Sequence, residues 1–328
     1  MTKPTIKMLS IQLFEFLFVF IILIISSIGY LLIAKKFNII DKPNERSSHT
    51  KITVRGGGII FPIAILLFSL LNGFAYPYFT VGVLIISIVS FLDDLFTLSS
   101  KIRFPFQFLA VFLILIQVSL PFNPIFLFLF YLTFGVGIIN MFNFMDGVNG
   151  ITGLYSIAVL LGFYFLNLNE NLIHDDLIIY SLISLVVFGF YNFRKKALFF
   201  AGDIGSIVIG MLIFFIGILF TIKLNSPLIL LLVIVYGADA TNTLLYRKLF
   251  TKESVFEPHR HHIYQKLVHV KKISHLKVSI IYACIQLIIN VIIYKTYRLE
   301  IETQLLIFAS LVILFTALYI YLFKKLKT

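Results

Sequence analysis

The chain has 328 residues, 60% of them hydrophobic and 13% charged, with a formal net charge of +12. A soluble globular domain is nearer half apolar and a quarter charged, so this composition excludes one and points to a polytopic membrane protein. In such a chain the positive charge reads as basic cytoplasmic loops, with no nucleic-acid partner, and the single cysteine, Cys284, excludes a disulfide framework and a cysteine metal site.

A membrane-crossing helix needs roughly 17–25 apolar residues. Eleven stretches are predicted as spans: Leu9–Ala34, Ile59–Leu71, Phe79–Leu98, Phe106–Leu120, Pro124–Phe144, Ile151–Leu166, Leu177–Phe193, Ile204–Ile222, Pro227–Leu245, Ser274–Tyr294 and Gln304–Phe323. Ile59–Leu71 is short and is expected to begin inside the preceding loop. The first run lacks a small-residue cleavage site and is read as a retained span. The expected fold is therefore an all-α polytopic membrane protein forming one domain over residues 1–328, with no internal repeat.

Loop charge sets the expected orientation. If Lys35–Gly58 is cytoplasmic, that side carries 22 of the 27 Lys and Arg residues and the other side carries 5. The N-terminus is then outside and the C-terminus inside. Loops 35–58, 99–105, 143–150, 192–203 and 246–273 share the cytoplasmic face and are the expected active-site face.

Five stretches there carry chemistry. The first, DKPNERSSHTKITVRGGG from Asp41 to Gly58, offers Lys51 and Arg55 to phosphate oxygens. Its three glycines let backbone approach a ligand and present N–H groups to an anion; a basic loop turning into the next span is the plainer reading. The second is the pair Asp93-Asp94 at the end of an apolar run. Adjacent carboxylates at the edge of lipid are costly without a cation, an Arg or water, although a pair facing water at a helix end would also satisfy them. The third, NMFNFMDGVNGITG, places Asn140 and Asn143 three apart before Asp146 and Asn149. These groups can hold a hydrated cation or a sugar; an Asn/Asp-Gly turn explains the glycine pairs but not the two upstream asparagines. The fourth, FFAGDIGSIVIG, opens a span with Asp203 and Ser206 where N–H groups are free, and Asp203 as a simple N-cap is the competing reading. Phe199 or Phe200 could stack a base, or face lipid. The fifth, EPHRHHIYQKL, holds His259, His261 and His262, whose spacing suits phosphate contact better than zinc. Asp239 and Asn242, near the inner end of a span, have no assigned role.

The five motifs in this order resemble the polyprenyl-phosphate N-acetylhexosamine-1-phosphate transferases, the WecA/MraY-type membrane enzymes. The resemblance covers about Asp41 to Leu267, and the RSSHTKITVRGGG and PHRHHIYQKL forms look more like the branch that starts O-antigen or capsule chains than the peptidoglycan branch. It implies that a UDP-N-acetylhexosamine gives its sugar-1-phosphate to undecaprenyl phosphate, that UMP leaves, and that Mg²⁺ or Mn²⁺ is required. It implies a multi-pass protein of the bacterial inner membrane and leaves a homodimer open.

By the same resemblance Asp203 is the metal ligand, while Asp93 and Asp94 handle the lipid phosphate. Asp146 lies at the nucleotide site, and Phe200 is placed to stack on uracil. Asn140 and Asn143 lie near metal and nucleotide, with His259, His261 and His262 at the phosphates or sugar. Asn149 stands where many members have a second aspartate, so a metal or base role is lost there and uracil contact is retained. Ile52 and Val54 replace prolines common before RGGG, and Ala201 replaces a larger residue. The alternative is an ion-coupled transporter. It requires charges near mid-bilayer and internal symmetry, whereas only Glu15 departs from the one-face clustering.

Overall fold

The computed structural model describes residues 6–41, 52–251 and 260–326. Helices make up almost all of it: α1 (Ile6–Lys36), α2 (Ile60–Leu71), α3 (Pro77–Phe96), α4 (Ser100–Gln117), α5 (Ile125–Met145) and α6 (Ile151–Glu170). They continue as α7 (Asp175–Asn192), α8 (Gly202–Leu224), α9 (Ile234–Phe250), α10 (Ile263–His269), α11 (His275–Thr296) and α12 (Ile301–Lys325). Among the described residues, ten helical segments are long and apolar enough to cross a membrane. The chain is an all-α polytopic membrane protein, as the composition implies.

The eleventh expected span is the exception. Gly57–Leu71 is apolar but shorter. At 1.5 Å per residue the 12-residue α2 rises about 18 Å, against a hydrocarbon core of about 30 Å. The cause is the glycine run, which occupies the place where another helical turn would stand.

The bundle is organised around α8. Its run Ile204–Phe220 is buried almost throughout, the pattern of a helix apolar on every side. α8 packs on α2, α3, α5 and α6, and α11 packs along α6. Phe79 of α3 stacks on Phe215 of α8 with ring centroids 4.3 Å apart. The outermost helices are α1 and α12, with 22% and 11% of their apolar windows buried. Their remaining apolar surface suits contact with lipid.

Among the described residues, extended structure is confined to the approach to α2. Strands β1 (Ile40–Asp41) and β2 (Thr53–Val54) pair antiparallel, Ile40 opposite Val54. Val54 also forms a parallel bridge with Phe199, just before α8. The segment that leads into α2 is thereby stitched to the segment that leads into α8.

Candidate active site

Adjacent residues on a helix point about 100° apart, so Asp93 and Asp94 address different neighbours. Asp93 accepts from Arg103 Nη1 at 2.7 Å and from the Leu98 N–H at 2.6 Å. Asp94 reaches across to the start of α8 and accepts from the Asp203 N–H at 2.9 Å and the Ile204 N–H at 3.1 Å. A carboxylate is favoured there because the first N–H groups of a helix lack internal partners and carry the positive end of its dipole. The cap of α8 is therefore supplied by Asp94 from another helix. This corrects the reading of Asp203 as a cap: the N-cap position is Ala201 and has no side-chain cap bond.

The Asp203 side chain is left for other contacts. Arg55 binds Asp94 through Nε at 2.6 Å and Asp203 through Nη2 at 3.3 Å. Arg103 binds Asp93 at 2.7 Å and Asp203 at 3.4 Å. Two guanidiniums thus join three carboxyl groups, with Asp203 at the middle. Burial opposes the charge on Arg55, but Asp94 and Asp203 outweigh it and hold the guanidinium above its usual range.

Backbone geometry fixes Arg55. Its N–H donates to Ile39 O at 3.2 Å and its carbonyl accepts from the Tyr30 hydroxyl. Gly56 follows at φ +76°, a left-handed conformation that glycine adopts without strain. The next glycines correct a second expectation. Gly57 and Gly58 do not offer their N–H groups to an anion; they donate to Phe200 O at 2.8 Å and Ala201 O at 2.9 Å. A Cβ on Gly57 would stand 2.0 Å from the Phe199 ring, and one on Gly58 would stand 2.3 Å from Gly205 Cα. Gly58 is a glycine because two backbones meet there, and Gly57 because the Phe199 ring fills the place of its Cβ.

Beside this network opens a polar cleft of about 290 Å³. Arg55, Asp203 and Phe200 line it, and Asn143, Asp146 and Asn149 face them. Asp146 follows the last turn of α5 and accepts from Thr152 Oγ1 at 2.6 Å. Burial raises its carboxyl to about 6. Asn143 accepts from Ser206 Oγ at 3.3 Å, which ties α5 to the first turn of α8. Asn149 spends its amide nitrogen on Arg194 O at 2.9 Å and Lys195 O at 3.4 Å.

Sequence reasoning missed three lining residues, Asn192, Gln265 and His275. The amide of Asn192 binds Gly150 N–H and Phe199 O, joining two walls. Its only signal was a polar residue ending an apolar span. Gln265 Oε1 is buried and has no hydrogen-bond partner among the described residues. The Asn149 N–H donates to His275 Nδ1 at 3.4 Å.

Other expected site residues fall elsewhere. Asp93 and Asp94 do not line the cleft; Asp94 holds Arg55, which does, and Asp93 holds Arg103, which reaches Asp203 on the cleft wall. Asn140 exchanges hydrogen bonds with Gln107 of α4, at 2.7 and 3.4 Å. It faces a separate, largely apolar groove of about 460 Å³ between α5, α9 and α12, bordered by Phe144, Asn242 and Phe308. His262, grouped above with the substrate contacts, is 2% exposed, and its Nδ1 lies 3.2 Å from Asp239 Oδ1. His261 lies beside the Tyr246 ring. Lys51 and His259 lie outside the described residues.

Among the described residues no three His, Cys, Asp or Glu side chains gather into a metal site. Asp203 nevertheless fits a divalent cation. It faces the cleft, its side chain is 15% exposed, and its arginine contacts are the long ones of the network.

Residues 76–221 match the profile of Glycosyl transferase family 4. A probable undecaprenyl-phosphate N-acetylglucosaminyl 1-phosphate transferase of Bacillus subtilis is 28% identical over 76% of this chain and 75% of its own length. An undecaprenyl-phosphate alpha-N-acetylglucosaminyl 1-phosphate transferase of Thermotoga maritima is 25% identical over 79% of this chain and 82% of its own. A phospho-N-acetylmuramoyl-pentapeptide-transferase of Petrotoga mobilis is 30% identical over 52% of this chain and 62% of its own. The profile match spans the paired aspartates, the asparagine motif and the start of α8, and over that segment the chain is similar to glycosyl transferase family 4.

Proposed function

We propose that this protein transfers an N-acetylhexosamine-1-phosphate from a UDP-sugar to undecaprenyl phosphate and releases UMP. The observation that carries the reading is the placement of Asp203, bridged by Arg55 and Arg103, on the wall of a polar cleft that also holds Asp146. In the reaction a phosphate oxygen of the lipid becomes bonded to the β-phosphorus of the donor, and the bridging oxygen leaves with UMP. Both substrates are anionic, so positive charge must offset their repulsion.

The chain's own groups divide that work. Arg55 and Arg103 face the phosphates with guanidiniums held by Asp93 and Asp94, which act through them as positioning residues. Asp203 would hold Mg²⁺ or Mn²⁺. Bound there, the ion would neutralise the pyrophosphate and favour departure of UMP. Asp146, raised to about 6, takes the acceptor proton. Phe200, Asn143 and Asn149 contact the donor, and the resemblance gives His259 and His261 a role at its phosphates or sugar. The apolar groove beside α5 suits the polyprenyl chain, since Asn143 and Phe144 border cleft and groove respectively.

The cleft faces the cytoplasm by loop charge, which suits a soluble nucleotide donor, and the membrane is the bacterial inner one. The RSSHTKITVRGGG and PHRHHIYQKL forms favour initiation of O-antigen or capsule chains. The test is UMP release by purified protein with undecaprenyl phosphate, Mg²⁺ and a panel of UDP-N-acetylhexosamines. Release that requires lipid, metal and Asp203 supports the reading. Folded protein that neither turns over nor binds any donor sinks it.

A further inference from the structure

Asp239 has no part in the chemistry above, yet it is one of the best-satisfied side chains in the molecule. It lies on α9, 4% exposed, in a stretch whose polar residues Asp239, Thr243 and Arg247 recur every four positions on one helical face. A charge in that setting is costly unless donors surround it. Five do. The Ile263 N–H donates to Oδ1 at 2.9 Å, the Tyr264 N–H to Oδ2 at 3.3 Å and the Tyr282 hydroxyl to Oδ2 at 2.7 Å. Thr243 Oγ1 donates at 3.3 Å, and His262 Nδ1 lies at 3.2 Å.

Three of these donors sit at the very start of α10: His262, Ile263 and Tyr264. The fourth residue of that run, Gln265, lines the polar cleft, and its buried Oε1 has no donor among the described residues. A buried acceptor left unpaired is costly, so its placement makes sense where a ligand donates to it. Tyr264 completes the seating, since its hydroxyl donates to Phe144 O at 3.1 Å, the end of α5.

We propose that Asp239 is a positioning residue for donor binding: it clamps the start of α10, and through α10 it sets Gln265 in the cleft, where Oε1 accepts an N–H of the donor. The proposal rests on the cleft being the donor site. Two parts of a UDP-N-acetylhexosamine present such an N–H, the acetamido group and the uracil imide. UDP-glucose lacks the first, and a cytidine nucleotide lacks the second.

The test uses the full chain in detergent with UDP-N-acetylglucosamine and undecaprenyl phosphate. Asp239→Asn and Gln265→Ala are each expected to raise KM for the donor about tenfold with kcat nearly unchanged, and the double variant is expected to be no worse than the weaker-binding single. Tyr282→Phe, which keeps the packing and removes one donor, is expected to move KM about threefold in the same direction. Independently of turnover, amide exchange across residues 260–269 is expected to quicken about tenfold in Asp239→Asn while α6 is unchanged. Loss of wild-type preference for UDP-N-acetylglucosamine over UDP-glucose in Gln265→Ala assigns the contact to the acetamido group. Loss of preference for UMP over CMP assigns it to uracil. Additive KM effects, a loss confined to kcat, or unchanged exchange in α10 would overturn the proposal. A wild type without turnover would instead count against the transferase reading, with the exchange measurement still testing the clamp.

Discussion

Asp94 and Asp239 use the same backbone device to different ends. Each is a carboxylate on one helix that accepts two successive N–H groups at the start of another, α8 for Asp94 and α10 for Asp239. They differ in what completes the coordination. Around Asp94 it is Arg55, which also reaches Asp203 and so keeps a second carboxylate on the cleft wall. Around Asp239 it is His262, Tyr282 and Thr243, all buried, and the cluster closes on itself. A cap that shares its counter-charge with the cleft can shape the charge a substrate meets. A closed cap can only hold a segment in place.

That contrast is most exposed to Asp94→Asn. The change removes the charge facing Arg55 and places an amide against two backbone donors, and kcat/KM is expected to fall about 1,000-fold. The corresponding Asp239→Asn is expected to act on donor KM alone. Equal losses of kcat in the two variants would erase the distinction. Asp146→Asn is the next largest, a fall in kcat of about 100-fold. In the wild type, activity should rise with pH through about 6, because Asp146 must be ionised to take a proton and is protonated below that value. The variant should lose that limb; an identical limb in Asp146→Asn would assign it to the acceptor phosphate. Asn149→Asp should be smaller. A carboxylate cannot donate to Arg194 O and Lys195 O, so the loop that follows α7 should loosen and donor KM rise about tenfold. Limited proteolysis at Arg194–Lys196 would follow the loosening directly. Gly57→Ala should leave the chemistry alone while costing about 1–3 kcal/mol, since its Cβ would enter the Phe199 ring. A lowered thermal midpoint with unchanged KM is the expected result.

Much of this was legible in the sequence because hydrophobic length is a direct physical signal. The spans follow from it, apart from α2, whose glycine lead-in shortens it. The carboxylates stood out because charge at the edge of lipid demands a reason. What stayed hidden was partnership. Asn140 and Asn143 share a face by spacing, but three residues leave them about 60° apart. That angle sends Asn143 to Ser206 of α8 and Asn140 to Gln107 of α4. The histidine motif was visible as chemistry, yet the burial of His262 depends on Asp239, more than twenty positions earlier in the chain. Gln265 and His275 carry no local pattern and become site residues only when α10 and α11 pack against the loop after α5. Three glycines in a row suggest a ligand cradle, and nothing local reveals that Phe200 O and Ala201 O take the N–H groups of Gly57 and Gly58.

The stitching of the 52–58 segment to the start of α8 also insulates it. Arg55 is bonded through its own N–H and carbonyl, and its neighbours Val54, Gly57 and Gly58 are each bonded to the 200–201 backbone. Its coordinates are thus set from both sides of the 42–51 stretch, by Tyr30 and Ile39 before it and by the 200–201 backbone after it. Related chains can therefore lengthen, shorten or rewrite the stretch between 42 and 51 while the guanidinium stays where it is.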